Sequence, residues 1–423
     1  MHHPRSALLV VLIASLYLTP QLALAQTSPF MTGATSLQTK HFKFIGTTGT
    51  GKSTAIRQLL RKAIGRGDRA VFADPDGGYC REFYQRYRGD IVLNPFEPDS
   101  VQWDLFGEIQ NNYDAEQLAS ALIPDCEDAS AREWRAYART FLAAVIRRCY
   151  AGRMHDAKEL WRLLTAASAE ELRPWVSGTP AQPFLDADNS RMFGSIRAVL
   201  ASAIAGFEFV QLQRASAFSV RRWIRSSGDC SNLFIPYKAG QIAALRMMIA
   251  AWLRLAIFEA LSQAEGRDQR LWFVVDELDA LGAIDGLKDA LARLRKFGGR
   301  CVLGFQSAAQ IASIYGSGAA NTLLENCGNT LILRCSGSEN GGTSQFASRL
   351  IGDREVVRLQ TSRGRDRDGT FFGKGGRRSR NVTEQQVTET AVMASELEQL
   401  PDLIGYLKTA SAAEWLKVAL TRT

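Results

Sequence analysis

Gly46-Thr47-Thr48-Gly49-Thr50-Gly51-Lys52-Ser53 spells G-x-x-x-x-G-K-[ST], with Thr54 next in line. Glycines at this spacing let main-chain N–H groups wrap phosphate oxygens at the positive end of the helix that follows. Lys52 then bridges the β- and γ-phosphates, and the Ser53 hydroxyl ligates magnesium. Residues Gly46 to Thr54 are therefore the predicted nucleotide-binding set, for ATP with Mg2+.

A site of this kind needs a second half, an acidic residue ending a buried strand. Leu271-Trp272-Phe273-Val274-Val275 is a continuous apolar run followed by Asp276 and Glu277. Asp276 is placed to hold magnesium through water, and Glu277 to polarise the attacking water. An Asp-Glu pair after a strand is also a common solvated turn, so the reading leans on the phosphate loop upstream. The run Arg300–Phe305 delivers Gln306, which from a strand tip can touch the γ-phosphate. Before it, Asp285–Phe297 reads as a helix ending in Arg293, Arg295 and Lys296, followed by Arg300. Arginines on that edge can enter a neighbouring subunit's site as a finger or simply decorate a solvated helix end.

The elements that must position these residues alternate. Strands are predicted near 41–46, 69–74 and 90–94, again from Ser231 to Ile235, and near 330–333, 387–392 and 403–408. A long helix is predicted from Ala239 to Gln263. Such alternation implies an α/β fold with a central, mainly parallel sheet covered on both faces. From Tyr113 to about Phe209 apolar residues recur at helical spacing with prolines as punctuation, an inserted all-helical domain. Its Arg132, Arg135, Arg139, Arg147 and Arg148 read as a solvated face rather than a DNA track.

Composition narrows the function classes. The chain has 423 residues, 46% hydrophobic and 22% charged, with 51 Lys plus Arg against 43 Asp plus Glu. Four scattered His argue against a multi-His metal site or a His-based hydrolase. Seven dispersed Cys with no C-x-x-C read as reduced thiols. The basic excess is local: residues 361–380 hold Arg363, Arg365, Arg367, Lys374, Arg377, Arg378 and Arg380 against Asp366 and Asp368. A Gly-rich charge run is usually a mobile solvated loop; its functional version contacts phosphates, blind to base sequence and sensitive to salt. At the N-terminus, SALLVVLIASLYL follows Arg5, and Ala23-Leu24-Ala25 has the shape of a signal-peptidase site. Residues 1–29 are read as a signal-like or membrane-anchor segment.

The order of these pieces resembles type IV coupling proteins, the TraD/TrwB-like ATPases of conjugation within the FtsK/HerA group. The resemblance is carried by HFKFIGTTGTGKST (41–54), GRGDRAVFADPDG (65–77), DIVLNPFEPDSVQWDLFGEI (90–109), RLWFVVDEL (270–278), RKFGGRCVLGFQSAAQIASIYG (295–316) and LPDL (400–403). It implies a RecA-like P-loop NTPase domain, residues 30–105 and 215–423, with the all-α domain inserted at 106–214; the basic run at 361–380 is read, from its own composition, as a flexible loop. It implies Lys52, Ser53, Asp276 and Glu277 at the ATP site, Gln306 as the γ-phosphate glutamine and Arg295 as the trans finger, with Arg300 a second candidate. The implied partners are DNA without sequence preference, a relaxase or relaxosome, inner-membrane components of a type IV secretion system, and further copies in a homo-hexamer. The implied location is the bacterial inner membrane with the ATPase domain cytoplasmic. Two other functions fit the same residues: a soluble FtsK/HerA-like DNA translocase, and an adaptor that recruits DNA and relaxase with negligible hydrolysis.

Overall fold

The computed structural model describes residues 40–421, apart from residues 127, 227, 266–269, 340 and 366–377. Its centre is a nine-stranded sheet. In chain order the strands are β1 (Phe42–Ile45), β2 (Arg69–Pro75), β3 (Ile91–Val92), β4 (Gln102–Trp103), β5 (Ala217–Phe218), β6 (Leu233–Tyr237), β7 (Leu271–Val275), β8 (Gly299–Phe305), β9 (Asn329–Ile332), β10 (Asp353–Arg365), β11 (Arg378–Thr390), β12 (Ile404–Lys408) and β13 (Leu416–Ala419). The sheet runs β13-β12-β9-β1-β8-β7-β2-β6-β3. From β9 to β3 every pairing is parallel, and β12 and β13 close the other edge antiparallel.

Parallel strands are covered on both faces, which explains why β1, β2, β7 and β8 read as nearly unbroken apolar runs. On one face the phosphate-loop helix Lys52–Gly65 packs Ala55, Ile56, Leu59, Leu60 and Ala63 over Phe42, Phe44, Phe72 and Trp272. On the other, the helix Ile242–Leu261 is buried nearly all round because the helical insert covers its outer side. That insert contains the helices Asp114–Leu122, Ala129–Ala151, Ala157–Thr165, Ala169–Val176, Ser190–Ala203 and Phe207–Leu212.

The chain leaves and re-enters the sheet domain side by side, where β4 and β5 pair in parallel. The buried Glu108 ties this junction. It accepts the Trp103 indole N–H (2.9 Å), the Val220 and Arg221 main-chain N–H groups (2.7 and 3.0 Å) and the Ser219 hydroxyl (3.0 Å). The WDLF block is thus a structural knot and not a chemical site. Arginines of the insert are also spent internally: Arg135 and Arg139 donate to the carbonyls of Pro124 and Ile123, and Arg139 and Arg147 pair with Asp125 and Glu116. They clamp the end of one helix against the next, while Arg132 and Arg148 on the same helix are exposed to solvent. Four of the seven free cysteines are buried.

Two expectations are corrected. The strand predicted at 387–392 does not extend the sheet: β11 pairs only with β10, in a separate antiparallel ribbon of 13 residues per strand. The sequence NVTEQQVTET is polar on both alternating faces, so it lacks the apolar surface a central strand must bury. The described residues of the supposed flexible loop, 361–365 and 378–380, are ribbon strands; residues 366–377 lie outside the described residues. Gly and Arg content suggested a loop, yet cross-strand pairing reaches Arg365 on one side and Arg378 on the other. Residues 1–29 also lie outside the described residues, among which no helix is long and apolar enough to cross a membrane.

Candidate active site

The sheet order itself assembles the site. β8 lies between β1, which leads into the phosphate loop, and β7, which ends at Asp276. Ligands of open parallel sheets sit beyond the carboxyl ends of the strands. Gln306, one residue past β8, therefore falls between the two halves, with Ser307 capping the next helix through Gln310 N–H. A cleft of about 200 Å³ is lined by Thr48, Gly49, Gly51 to Thr54, Asp276, Glu277 and Gln306.

Within the loop, Gly49 and Gly51 have φ of 79° and 111°, a region that L side chains rarely adopt. Gly46 leaves room for the Thr50 hydroxyl, which donates to the Thr47 carbonyl (2.8 Å). Lys52 is buried and turns back on the loop, donating to the carbonyls of Gly46 (2.6 Å) and Thr47 (3.1 Å). An ammonium has three protons, so one remains for a phosphate oxygen. Burial lowers the Lys52 pKa, and the carboxylates of Asp276 and Glu277 pull it back up.

Across the cleft the Ser53 hydroxyl donates to Asp276 Oδ2 at 2.5 Å. Asp276 is 3% exposed, and its other oxygen, Oδ1, is buried without a hydrogen-bond partner. Gly304 on β8 is required there, because a Cβ would stand 2.7 Å from Oδ1 and 2.2 Å from the Asp276 carbonyl oxygen. A hydroxyl and a carboxylate with an unpartnered oxygen are the hard donors that magnesium takes one or two at a time, with phosphate oxygens and water completing the octahedron. Among the described residues no cluster of three His, Cys, Asp or Glu could hold a metal unaided. The site thus fits a cation that arrives with its nucleotide.

Glu277 is half-buried beside this pair. Burial, reinforced by the negative charges of Asp276, Asp279 and Asp76 and opposed by Lys52, holds its pKa above the usual carboxylate range. That makes it a better proton acceptor than a surface glutamate. The Thr48 hydroxyl donates to Gln306 Oε1 (2.9 Å), joining the loop to the tip of β8.

Other predicted residues lie elsewhere. Arg295 is exposed on the 3-10 turn Leu294–Phe297, at the opposite end of β8 from Gln306. Seven residues of strand separate them by about 23 Å, beyond the reach of an arginine side chain. Arg300 is corrected as a finger candidate: it is 6% exposed, and its guanidinium donates to the carbonyl of Gly299 (2.7 Å). Of the basic run, Arg363, Arg365, Arg378 and Arg380 sit on the ribbon backbone, in facing pairs Arg363–Arg380 and Arg365–Arg378; Arg367, Lys374 and Arg377 lie outside the described residues. Sequence reading missed Tyr79, whose hydroxyl donates to Asp276 Oδ2 (2.8 Å), and Asp74, which accepts the N–H groups of Tyr79 (2.9 Å) and Cys80 (2.6 Å). It also gave no role to Arg334 and Leu403, which brace the loop from outside. The only available signals were the DPDGGY and LPDL strings themselves.

Residues 27–421 match the family described as the type IV secretion-system coupling protein DNA-binding domain. The chain belongs to that family. Coupling protein TraD of Escherichia coli (strain K12) is 32% identical over 394 residues, 90% of this chain and 52% of TraD. The chain therefore spans about half the length of that relative. Among solved structures, plasmid coupling protein TrwB in complex with the non-hydrolysable ATP analogue ADPNP has a TM-score of 0.79 at 30% identity, covering 92% of this chain and 86% of TrwB. TrwB in complex with ADP and Mg2+ has a TM-score of 0.78 at 30% identity, with the same coverage. The expected RecA-like α/β fold with a helical insert is that of this coupling-protein family.

Proposed function

We propose that the chain is the motor unit of a conjugative coupling protein, a DNA-dependent ATPase that connects a relaxase–DNA complex to a type IV secretion channel and drives DNA transfer. The observation that carries the reading is the Ser53–Asp276 pair with its unpartnered Oδ1, set beside Glu277 and Gln306 on adjacent strand ends. Family membership supplies the DNA and secretion context, and TrwB's complexes with ADPNP and with ADP and Mg2+ supply the nucleotide and the ion.

In this reading the residues Gly46 to Thr54 cradle the phosphates, and Lys52 donates its remaining N–H as a hydrogen bond to the terminal ones. Ser53, with Asp276 through water, would hold Mg2+, which when bound would supply positive charge to the phosphates. Glu277 takes the proton of the attacking water, and Gln306 links the state of the γ-phosphate to Thr48 and to β8. Arg295 has no access to its own site and completes that of a neighbour, which favours a ring, a homo-hexamer by family likeness. The ribbon β10–β11, about 44 Å long at 3.4 Å per residue, is the proposed DNA-contacting arm through Arg363, Arg365, Arg378 and Arg380, with Arg367, Lys374 and Arg377 beyond its described part. Attachment to the bacterial inner membrane follows the relatives.

The test is the ATPase rate of the full chain with and without DNA, across protein concentration and salt, with Lys52→Ala as the blank. Stimulation by DNA that rises with protein concentration and fades with salt supports a DNA motor assembled from several copies. A rate indifferent to DNA replaces this reading with that of a recruitment platform.

A further inference from the structure

The cleft leaves one question of geometry open: what fixes the Asp276 carboxylate beside Ser53. A carboxylate on a strand end can turn about its Cβ–Cγ bond, and a rotated Asp276 would offer the cation a different oxygen at a different place. Two donors converge on Oδ2, the Ser53 hydroxyl at 2.5 Å and the Tyr79 hydroxyl at 2.8 Å. Ser53 is itself a proposed metal ligand and must adjust when the ion arrives. Tyr79 is not, and it is fixed from every side.

Its ring is 1% exposed and stacks on Phe72 of β2, with centroids 5.5 Å apart and planes at 24°. The Arg57 guanidinium, from the phosphate-loop helix, lies 5.3 Å from the ring centroid. The Tyr79 main-chain N–H donates to Asp74 Oδ1 at 2.9 Å, which anchors the start of the short helix Gly78–Phe83 to the end of β2. β2 is hydrogen-bonded to β7, the strand that carries Asp276. The hydroxyl therefore reaches Oδ2 from a scaffold that shares the sheet with its target.

We propose that Tyr79 is a positioning residue for the metal-binding carboxylate, holding Oδ2 and so fixing the turn of the Asp276 carboxylate beside Ser53. It touches neither nucleotide nor ion. The inference rests on the reading of this cleft as a Mg2+–nucleotide site. Partners that orient a metal ligand from behind typically set affinity by about 10–100-fold when removed.

Tyr79→Phe keeps the ring, the stack and the cation contact and deletes only the hydroxyl. The readout is direct binding of a fluorescent ADP analogue to the full chain, in EDTA and over a Mg2+ titration, with Mn2+ occupancy followed by electron paramagnetic resonance. The expected result is unchanged affinity in EDTA and apparent Mn2+ and Mg2+ affinities weakened by about tenfold. Equal metal affinity in variant and wild type overturns the inference while leaving the site reading intact. An equal loss in EDTA and in Mg2+ also overturns it, because the hydroxyl is then only a structural support. If wild type binds the analogue with no dependence on Mg2+, the site reading itself fails, and this inference with it.

Discussion

The main-chain N–H of Leu403 donates to the carbonyl of Thr50 at 2.9 Å, from a backbone with φ of 64°. A non-glycine residue in the left-handed region costs about 1–2 kcal/mol and persists where its surroundings over-determine it. Here they do. Leu420 N–H donates to the Leu403 carbonyl (2.7 Å), and Asp402 pairs with Arg334 (2.7 Å). Arg334 grips the loop from the other side, its carbonyl accepting the Thr47 N–H at 2.9 Å. The Leu403 side chain also fills the space a Cβ on Gly51 would need, 2.7 Å away.

This clasp makes the LPDL turn part of the phosphate loop's shape. Leu403→Pro removes the donor and forces φ negative, so ADP affinity should fall at least about tenfold, in line with a lost buried hydrogen bond of about 1–3 kcal/mol. Leu403→Gly keeps the donor and relieves the strain, and should bind more nearly like wild type. Fluorescence titration of both variants decides it; wild-type affinity in the proline variant would mean that the clasp does not shape the loop.

Binding and hydrolysis should separate between Lys52 and Glu277. Lys52→Ala removes the phosphate's cation and should lose both ATP affinity and turnover. Glu277→Gln keeps shape and hydrogen-bonding capacity but cannot take a proton; ATP affinity should persist while turnover falls by about 10²-fold or more, the usual share of a general base. Equilibrium binding alongside phosphate release measures the two effects. Turnover that survives in Glu277→Gln would move the base elsewhere in the site.

Sequence was most informative where the chemistry is contiguous. Gly46 to Ser53 define their own loop, and the apolar run Leu271–Val275 announces a buried strand with Asp276 at its end. Gln306 could be placed because a strand tip beside these two has few other neighbours. Tyr79 escaped notice because its contact with Asp276 crosses 197 positions of sequence and an isolated tyrosine carries no signature. Leu403 was visible only as part of a motif, since a left-handed leucine is set by tertiary contacts and not by local preference. The ribbon was misread for a physical reason: with Thr, Glu and Gln on both alternating faces it lacks the apolar stripe that identifies a strand packed on a core.

The ribbon's facing arginines should be felt in the salt dependence of DNA binding. Replacing Arg363, Arg365, Arg378 and Arg380 with Gln should reduce the log–log salt slope on duplex DNA by about 3–4, near 0.9 for each phosphate no longer neutralised, without altering ADP affinity. Fluorescence anisotropy at several salt concentrations reads the slope. An unchanged slope would assign DNA binding to another surface.

Stability should carry a histidine signature in mild acid. His41, 4% exposed at the head of β1, accepts the Cys301 N–H at its Nδ1 (2.9 Å). Burial, helped by the charges of Arg300 and Arg295, holds its pKa down at about 4 against 6.5 for a free imidazole. The unfolded chain therefore takes up a proton first. This contribution is complete above pH 6.5 and is lost as pH falls through about 4, on the order of 3 kcal/mol in all. Asp74, raised to about 6 by burial, works in the opposite direction over much of the same window. His41→Asn keeps an acceptor and cannot titrate, so the difference between wild type and variant cancels Asp74. Urea unfolding at pH 7.5 and 4.5 should show wild type losing more stability than the variant.

Arg295 offers the sharpest test of assembly, because its place at the far end of β8 forbids a role in its own site. Arg295→Ala should bind ATP normally and lose turnover by about 10³-fold, as expected for a lost arginine finger. Lys52→Ala is inactive for the complementary reason: its site is broken, while its own Arg295 remains. Mixing the two should place intact fingers beside intact sites in some neighbours and restore part of the activity, most at equal proportions. Steady-state phosphate release across mixing ratios measures this. Two inactive variants that stay inactive in every mixture, under conditions where wild type is active, would remove Arg295 from the reaction and leave the finger to be found on another edge.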